Sequence, residues 1–223
     1  MKKIWIALFL LLTLLNTPST LRAATPLGWE KIGNDDGVEV FKKDVPGSPF
    51  VAFRGEGVID APLWKVFSVM ADDKRSIEWV DDLVEFHVIR NVSQFERIEY
   101  NHVGTPFVVK DRDFVMDIKV VPDHLKRTIL VLMHSVGDPA APETKYVRGV
   151  IMESSFILRS IDAGGKVLMT AEVHVDPKGS IPSWLVNLLQ KDWPHNTLYK
   201  LRKQCAKNDI KRFKDFDTIF WAD

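Results

Sequence analysis

The feature that most constrains this chain is a long run of strand-like segments in which apolar and polar side chains alternate. Six segments read as strands: Val84–Val92, Phe95–Val103, Phe114–Val121, Thr128–His134, Tyr146–Leu158 and Val167–Val175. Short turns join most of them, which predicts an antiparallel meander. In the last segment Val167, Met169, Ala171, Val173 and Val175 share one face, and Thr170, Glu172, His174 and Asp176 the other. A sheet of this kind has one dry and one wet face. An uncovered dry face would aggregate, so something must lie on it. The sequence offers one long cover, a helix over about 182–213 with Leu185, Leu188, Leu189, Trp193, Leu201 and Cys205 as its apolar stripe. Pro194 lies inside that helix and is expected to kink it, making a weak point where the cover could lift.

Upstream, Val38–Lys43 and Phe50–Ile59 read as two more strands joined by Pro46-Gly47-Ser48-Pro49. A helix follows, with Asp60 as its expected N-cap and Leu63, Val66, Phe67 and Met70 facing inward. At the start of the chain, Met1-Lys2-Lys3 precedes an apolar run from Ile4 to Leu15, then Asn16, Thr17, Pro18 and Ser19. That is the layout of a secretory signal peptide, too short to span a bilayer. The expected organisation is a signal peptide over 1–23, cut after Ala23 or Ala24, and a single domain over 24–223, periplasmic or secreted.

Lys+Arg and Asp+Glu are balanced at 30 each. Loss of Lys2, Lys3 and Arg22 would leave a mildly acidic chain, which argues against a nucleic-acid partner. Cys205 is the single cysteine, so no intrachain disulfide can form and the core must supply the stability. The sequence gives no sign of self-association, and a monomer is expected.

Several short stretches, taken in order, resemble the START domain, the lipid-transfer domain related to the steroidogenic acute regulatory protein. They are Gly37-Val-Glu-Val-Phe41, Glu78-Trp79, Asp111-Arg-Asp-Phe-Val115, Pro142 with Tyr146-Val-Arg148, and Val175-Asp-Pro-Lys-Gly-Ser-Ile-Pro-Ser-Trp184. The resemblance runs from about Trp29 to Phe213. It implies an α+β helix-grip fold, a curved antiparallel sheet around a long C-terminal helix with an internal cavity. It also implies one lipid or sterol-like ligand per cavity, transient membrane contact, and no metal or cofactor. The loop before Tyr146, here Val136 to Thr144, and the C-terminal helix are the parts such a domain would open.

Alternation along the strands gives a candidate ligand-binding set. Phe114, Met116 and Ile118 share a face, as do Val131 and Met133. Met152 and Met169 add flexible side chains suited to an adaptable cavity. Leu185, Leu188, Leu189 and Trp193 come from the helix. Arg97, Glu99 and Asn101 are candidates for contact with a polar head group, and Arg148 for facing the cavity. In several START domains the acid at the position of Glu99 pairs with an arginine on the next strand to hold a ligand hydroxyl. The matching residue here is Ile118, which cannot pair, so Arg97 is the candidate partner.

None of the six histidines sits at zinc-like spacing, and no HExxH, GxSxG, phosphate-loop or dinucleotide motif occurs. The expected activity is binding and shuttling of an apolar small molecule, not catalysis. The alternative is a small helix-grip enzyme, cyclase- or hydrolase-like, acting on a lipid or polyketide-like substrate, with Glu99 or His102 as its acid or base.

Overall fold

The computed structural model describes residues 28–105 and 109–221. The expected signal peptide lies outside the described residues. The strands are β1 (Glu30–Asp35), β2 (Val38–Lys43), β3 (Ala52–Ile59), β4 (Leu83–Ser93), β5 (Glu96–Val103), β6 (Arg112–Asp123), β7 (Thr128–Ser135), β8 (Val147–Arg148), β9 (Val150–Ile161) and β10 (Lys166–Asp176). The helices are α1 (Leu63–Met70), α2 (Ser76–Trp79), α3 (Ser183–Gln190), α4 (Trp193–Cys205) and α5 (Phe216–Trp221). Nine strands form one open sheet in the order β1-β2-β3-β10-β9-β7-β6-β5-β4, and β8 pairs with β6 alone. All pairings are antiparallel except β6 with β8.

Four expectations need correction. β1 was not anticipated, because its exposed sequence Glu-Lys-Ile-Gly-Asn-Asp has almost nothing to bury; it is an edge strand. Helix α1 starts at Leu63 with Pro62 at its N-cap, and Asp60 does not cap it. The expected strand Tyr146–Leu158 is two strands that switch neighbours at Gly149. A Cβ there would sit 2.3 Å from the Phe114 ring, so only glycine allows the crossing.

The expected helix over 182–213 is also two helices, and it ends at Cys205. Pro194 has no N–H to donate to the carbonyl one turn earlier, at Gln190, and its ring crowds that carbonyl. The helix therefore breaks at Lys191-Asp192 and restarts with Pro194 in its first turn. The two halves are held very differently. Among α3 side chains only Val186 is buried, whereas α4 buries Pro194, Thr197, Leu198, Leu201, Gln204 and Cys205. α4 presses on β3 at Gly55, where a Cβ would approach the Pro194 Cβ to 2.7 Å. Past Cys205 the chain turns back over α1 and forms α5. Among the described residues, no helix is long and apolar enough to cross a membrane.

Candidate functional site

The concave face of the sheet, α1, α2 and the α3–α4 pair enclose a cavity of about 700 Å³. That lies within the size range of small-molecule sites. Strand register explains its wall. One rung crosses five strands as Arg97, Ile118, Met133, Ser154 and Val173, and all five line the cavity. The next rung brings Val120, Val131 and Phe156 to the same face. Along β5, alternation points Arg97, Glu99, Asn101 and Val103 inward. Trp79 of α2 meets Phe156 at 6.2 Å between ring centroids, and Phe156 stacks on Trp193 of α4 at 6.1 Å.

The polar groups in this wall are short of partners. Six buried side-chain atoms make no hydrogen bond: Trp79 Nε1, Glu99 Oε1, Asn101 Oδ1, Ser154 Oγ, Gln190 Oε1 and Thr197 Oγ1. All six residues line the cavity. Glu99 is 5 % exposed. Arg97 Nε touches Glu99 Oε1, but the contact is not aligned as a hydrogen bond. The Arg97 guanidinium also reaches Asp73 at 2.9 Å. Burial pushes the Glu99 carboxyl above its ordinary value, and the neighbouring Arg97 only partly offsets this. A buried polar group without a partner costs about 1–3 kcal/mol, so five of them beside a carboxylate met only by Arg97 mark a place built to meet something polar.

The other face of the same strands is the reverse. Asp113 is fully buried on β6, accepts two hydrogen bonds from Arg148 at 2.9 and 3.1 Å, and accepts a third from Thr144 Oγ1 at 2.6 Å. Burial alone would raise its pKa, but the Arg148 and Thr144 donors outweigh it and hold the carboxyl below the usual range. His102 bonds Asp111 at 2.8 Å and stacks on Tyr146 at 3.9 Å. Val136 and Ala141 pack there against Ile98, Tyr100 and Val115. The segment Val136–Thr144 thus lies on the convex face, and none of its residues lines the cavity.

Of the expected set, Arg97, Glu99, Asn101, Phe114, Met116, Ile118, Val131, Met133, Leu189 and Trp193 line the cavity. Five do not. Arg148 serves Asp113 on the convex face. Met152 is 45 % exposed because a β-bulge places both Glu153 and Ile151 opposite consecutive residues of β10 and leaves Met152 as the extra residue. Ile151 takes the inward position instead. Met169 is fully buried, but in the part of the concave face filled by α1 and α4. Leu185 and Leu188 are turned away because α3 presents Val186, Leu189 and Gln190 to the cavity.

Trp79, Ser154, Gln190 and Thr197 were missed. Thr197 had a signal: it sits midway between Trp193 and Leu201 at helical spacing. Ser154 had one too: it shares the parity of Met152 and precedes the bulge-free stretch that ends in Phe156, so alternation already turned it inward. Arg112 also borders the cavity and donates to the carbonyls of Pro177 and Lys178, each at 3.2 Å, tying down the approach to α3.

Asp35, Asp36 and His195 bring potential metal-ligand atoms within 4.8 Å of one another at the β1–β2 turn, outside the cavity. Cys205 is buried in the core, and burial pushes its thiol to about 12, so it is no nucleophile.

The chain is 30% identical over 183 residues to an uncharacterized protein of Pseudomonas aeruginosa, covering 80% of this chain and 87% of that one. It is 25% identical over 194 residues to the phosphatidylcholine transfer protein of Mus musculus, covering 82% and 86%. The crystal structure of human STARD10 superimposes with a TM-score of 0.75 at 22% identity, covering 83% of this chain and 76% of that one. The START domain profile matches residues 11–209. A concave sheet gripping a broken C-terminal helix over a cavity, and a match across most of the sequence, lead to one conclusion: the chain belongs to the START domain family, whose members bind and transfer lipids.

Proposed function

We propose that the protein takes one amphipathic lipid into this cavity and carries it, chemically unchanged, outside the cytoplasm. The observation that carries the reading is the set of six buried polar atoms without a hydrogen bond in a mainly apolar cavity. Water-filled, such a space wastes its apolar wall; dry, it strands its polar groups. A lipid satisfies both, its polar group meeting Arg97, Glu99 and Asn101 and its body lying against Ile118, Val131 and Met133. The similarity to a phosphatidylcholine transfer protein supports a ligand with a head group. The lysine-led apolar run at the N-terminus supports export.

The described lining residues include no histidine, cysteine, lysine or tyrosine. That supports carriage over chemistry, because the acid–base work of the alternative would fall to carboxylates alone. His102, the other catalytic candidate, points to the convex face. α3 is the half of the helical cover best suited to move. Its Trp184 is 67 % exposed, and tryptophan favours the membrane interface, so this short helix is where the monomer would touch a bilayer.

Native mass spectrometry of the protein purified from the periplasmic fraction tests the reading. One intact lipid per chain, unaltered on incubation, is the expected result. A ligand-free protein overturns the lipid reading, and a converted product moves it to the enzyme.

A further inference from the structure

The family match stops at residue 209, yet the chain continues with four aromatic residues in a short stretch: Phe213, Phe216, Phe220 and Trp221. They are not surface decoration. Phe220 is fully buried, with ring centroids 4.5 Å from Phe67, 5.9 Å from Phe95 and 6.4 Å from Phe213. Phe67, Phe95 and Phe213 all line the cavity, and Phe213 meets Phe67 edge-on at 5.3 Å. Phe220 therefore stands behind three residues of the cavity wall without reaching the cavity itself. The strap is held in register by the Phe213 N–H, which donates to Ser68 Oγ at 2.8 Å, and by the pair of Arg212 with Asp217 at 2.6 Å. Arg212 also lies over the Trp64 ring at 4.9 Å.

The strap borders an end of the cavity where the β4–β5 hairpin also presents Ser93, Gln94 and Glu96. Phe67, Met70, Phe95, Val120 and Phe213 line it, and the Val120 N–H bonds the Phe95 carbonyl, which fixes the wall at the β4–β5 hairpin. Glu99 lies four residues along β5 from Phe95, a run of ~13 Å. We infer that residues 210–221 form an end wall that sets how long an apolar chain the cavity accepts, with Phe213 as the length-determining side chain. This rests on the lipid-carrier reading above and adds a specificity element that lies beyond the region matched by the family.

The test is a binding series with fluorescent phosphatidylcholines that differ in the length of one acyl chain, run on wild type, Phe213→Ala and Phe213→Trp. Truncation to alanine should move the preferred chain longer by roughly two or more methylenes, the space a phenyl ring leaves. The larger indole should move it shorter. Phe213 is only partly buried, and urea unfolding of each variant confirms that the fold survives. One common optimum in all three proteins overturns the end-wall assignment and leaves the carrier reading standing. Binding of no probe by wild type overturns the carrier reading, and the end wall with it.

Discussion

Two buried carboxylates on neighbouring strands face opposite sides of one sheet and live opposite lives. Asp113, on the convex side, is fully enclosed and answered by Arg148 and Thr144. Its pKa is lowered. Glu99, on the concave side, is 5 % exposed, touches one misaligned arginine, and has its pKa raised. Both side chains are shielded from solvent, but Glu99 lies deeper in the protein, so heavier desolvation and a shorter supply of donors together set the two carboxyls apart. The convex side is finished as structure. The concave side is left incomplete, which is costly unless a ligand completes it.

The comparison is most exposed to one pair of matched substitutions. Asp113→Asn removes a charge that two donor residues were arranged to meet, and should destabilise the protein by about 2–4 kcal/mol in urea unfolding. Its contribution also has a sign in pH. The folded pKa lies below the ordinary 3.8, so the stabilisation is full above that value and is lost as pH falls through the lower folded value. Acid unfolding of wild type and Asp113→Asn should therefore converge at low pH.

Glu99→Gln is the same chemical change with a smaller and opposite expected effect. Its folded pKa lies above the ordinary 4.5, so the ionised group is a burden that sets in as pH rises from that value through the folded one. The ligand-free variant should be as stable as wild type at pH 7, or more stable by up to about 1 kcal/mol, with the difference vanishing in acid. Arg97 keeps Asp73 as a partner in this variant. A loss of stability as large as that of Asp113→Asn would erase the contrast between the faces.

The smallest effects belong to the lone hydroxyls. Ser154→Ala and Thr197→Val each remove an unpartnered buried oxygen, and should leave thermal stability of the ligand-free protein within about 0.5 kcal/mol. Both should weaken lipid binding a few-fold in a fluorescence titration. A clear stability loss in either would assign that hydroxyl to the core.

This contrast was partly legible in the sequence. Strand alternation placed Arg97, Glu99 and Asn101 on one face of β5, and Phe114, Met116 and Ile118 on one face of β6, because side-chain direction in a regular strand follows from parity alone. It failed where parity breaks. The bulge at Met152 exchanged that residue for Ile151. The helix was legible as an apolar stripe, but its rotation about its axis was not. Pro194 announced a break, and the break reset the phase of α3, so that Val186 and Gln190 face in where Leu185 and Leu188 were expected. The convex network was not legible, since nothing local tells that Arg148 returns from a later strand to meet Asp113. α5 was invisible because its partners, Phe67 and Phe95, are distant in sequence.

The most direct test of the central claim is a titration of Glu99→Gln with a fluorescent phosphatidylcholine, read beside its urea unfolding curve. The incomplete concave face predicts binding weaker by about tenfold, the effect of one lost charge-assisted contact, with no fall in the unfolding midpoint. Unchanged affinity would contradict it and return Glu99 to being a buried carboxylate with no ligand to meet.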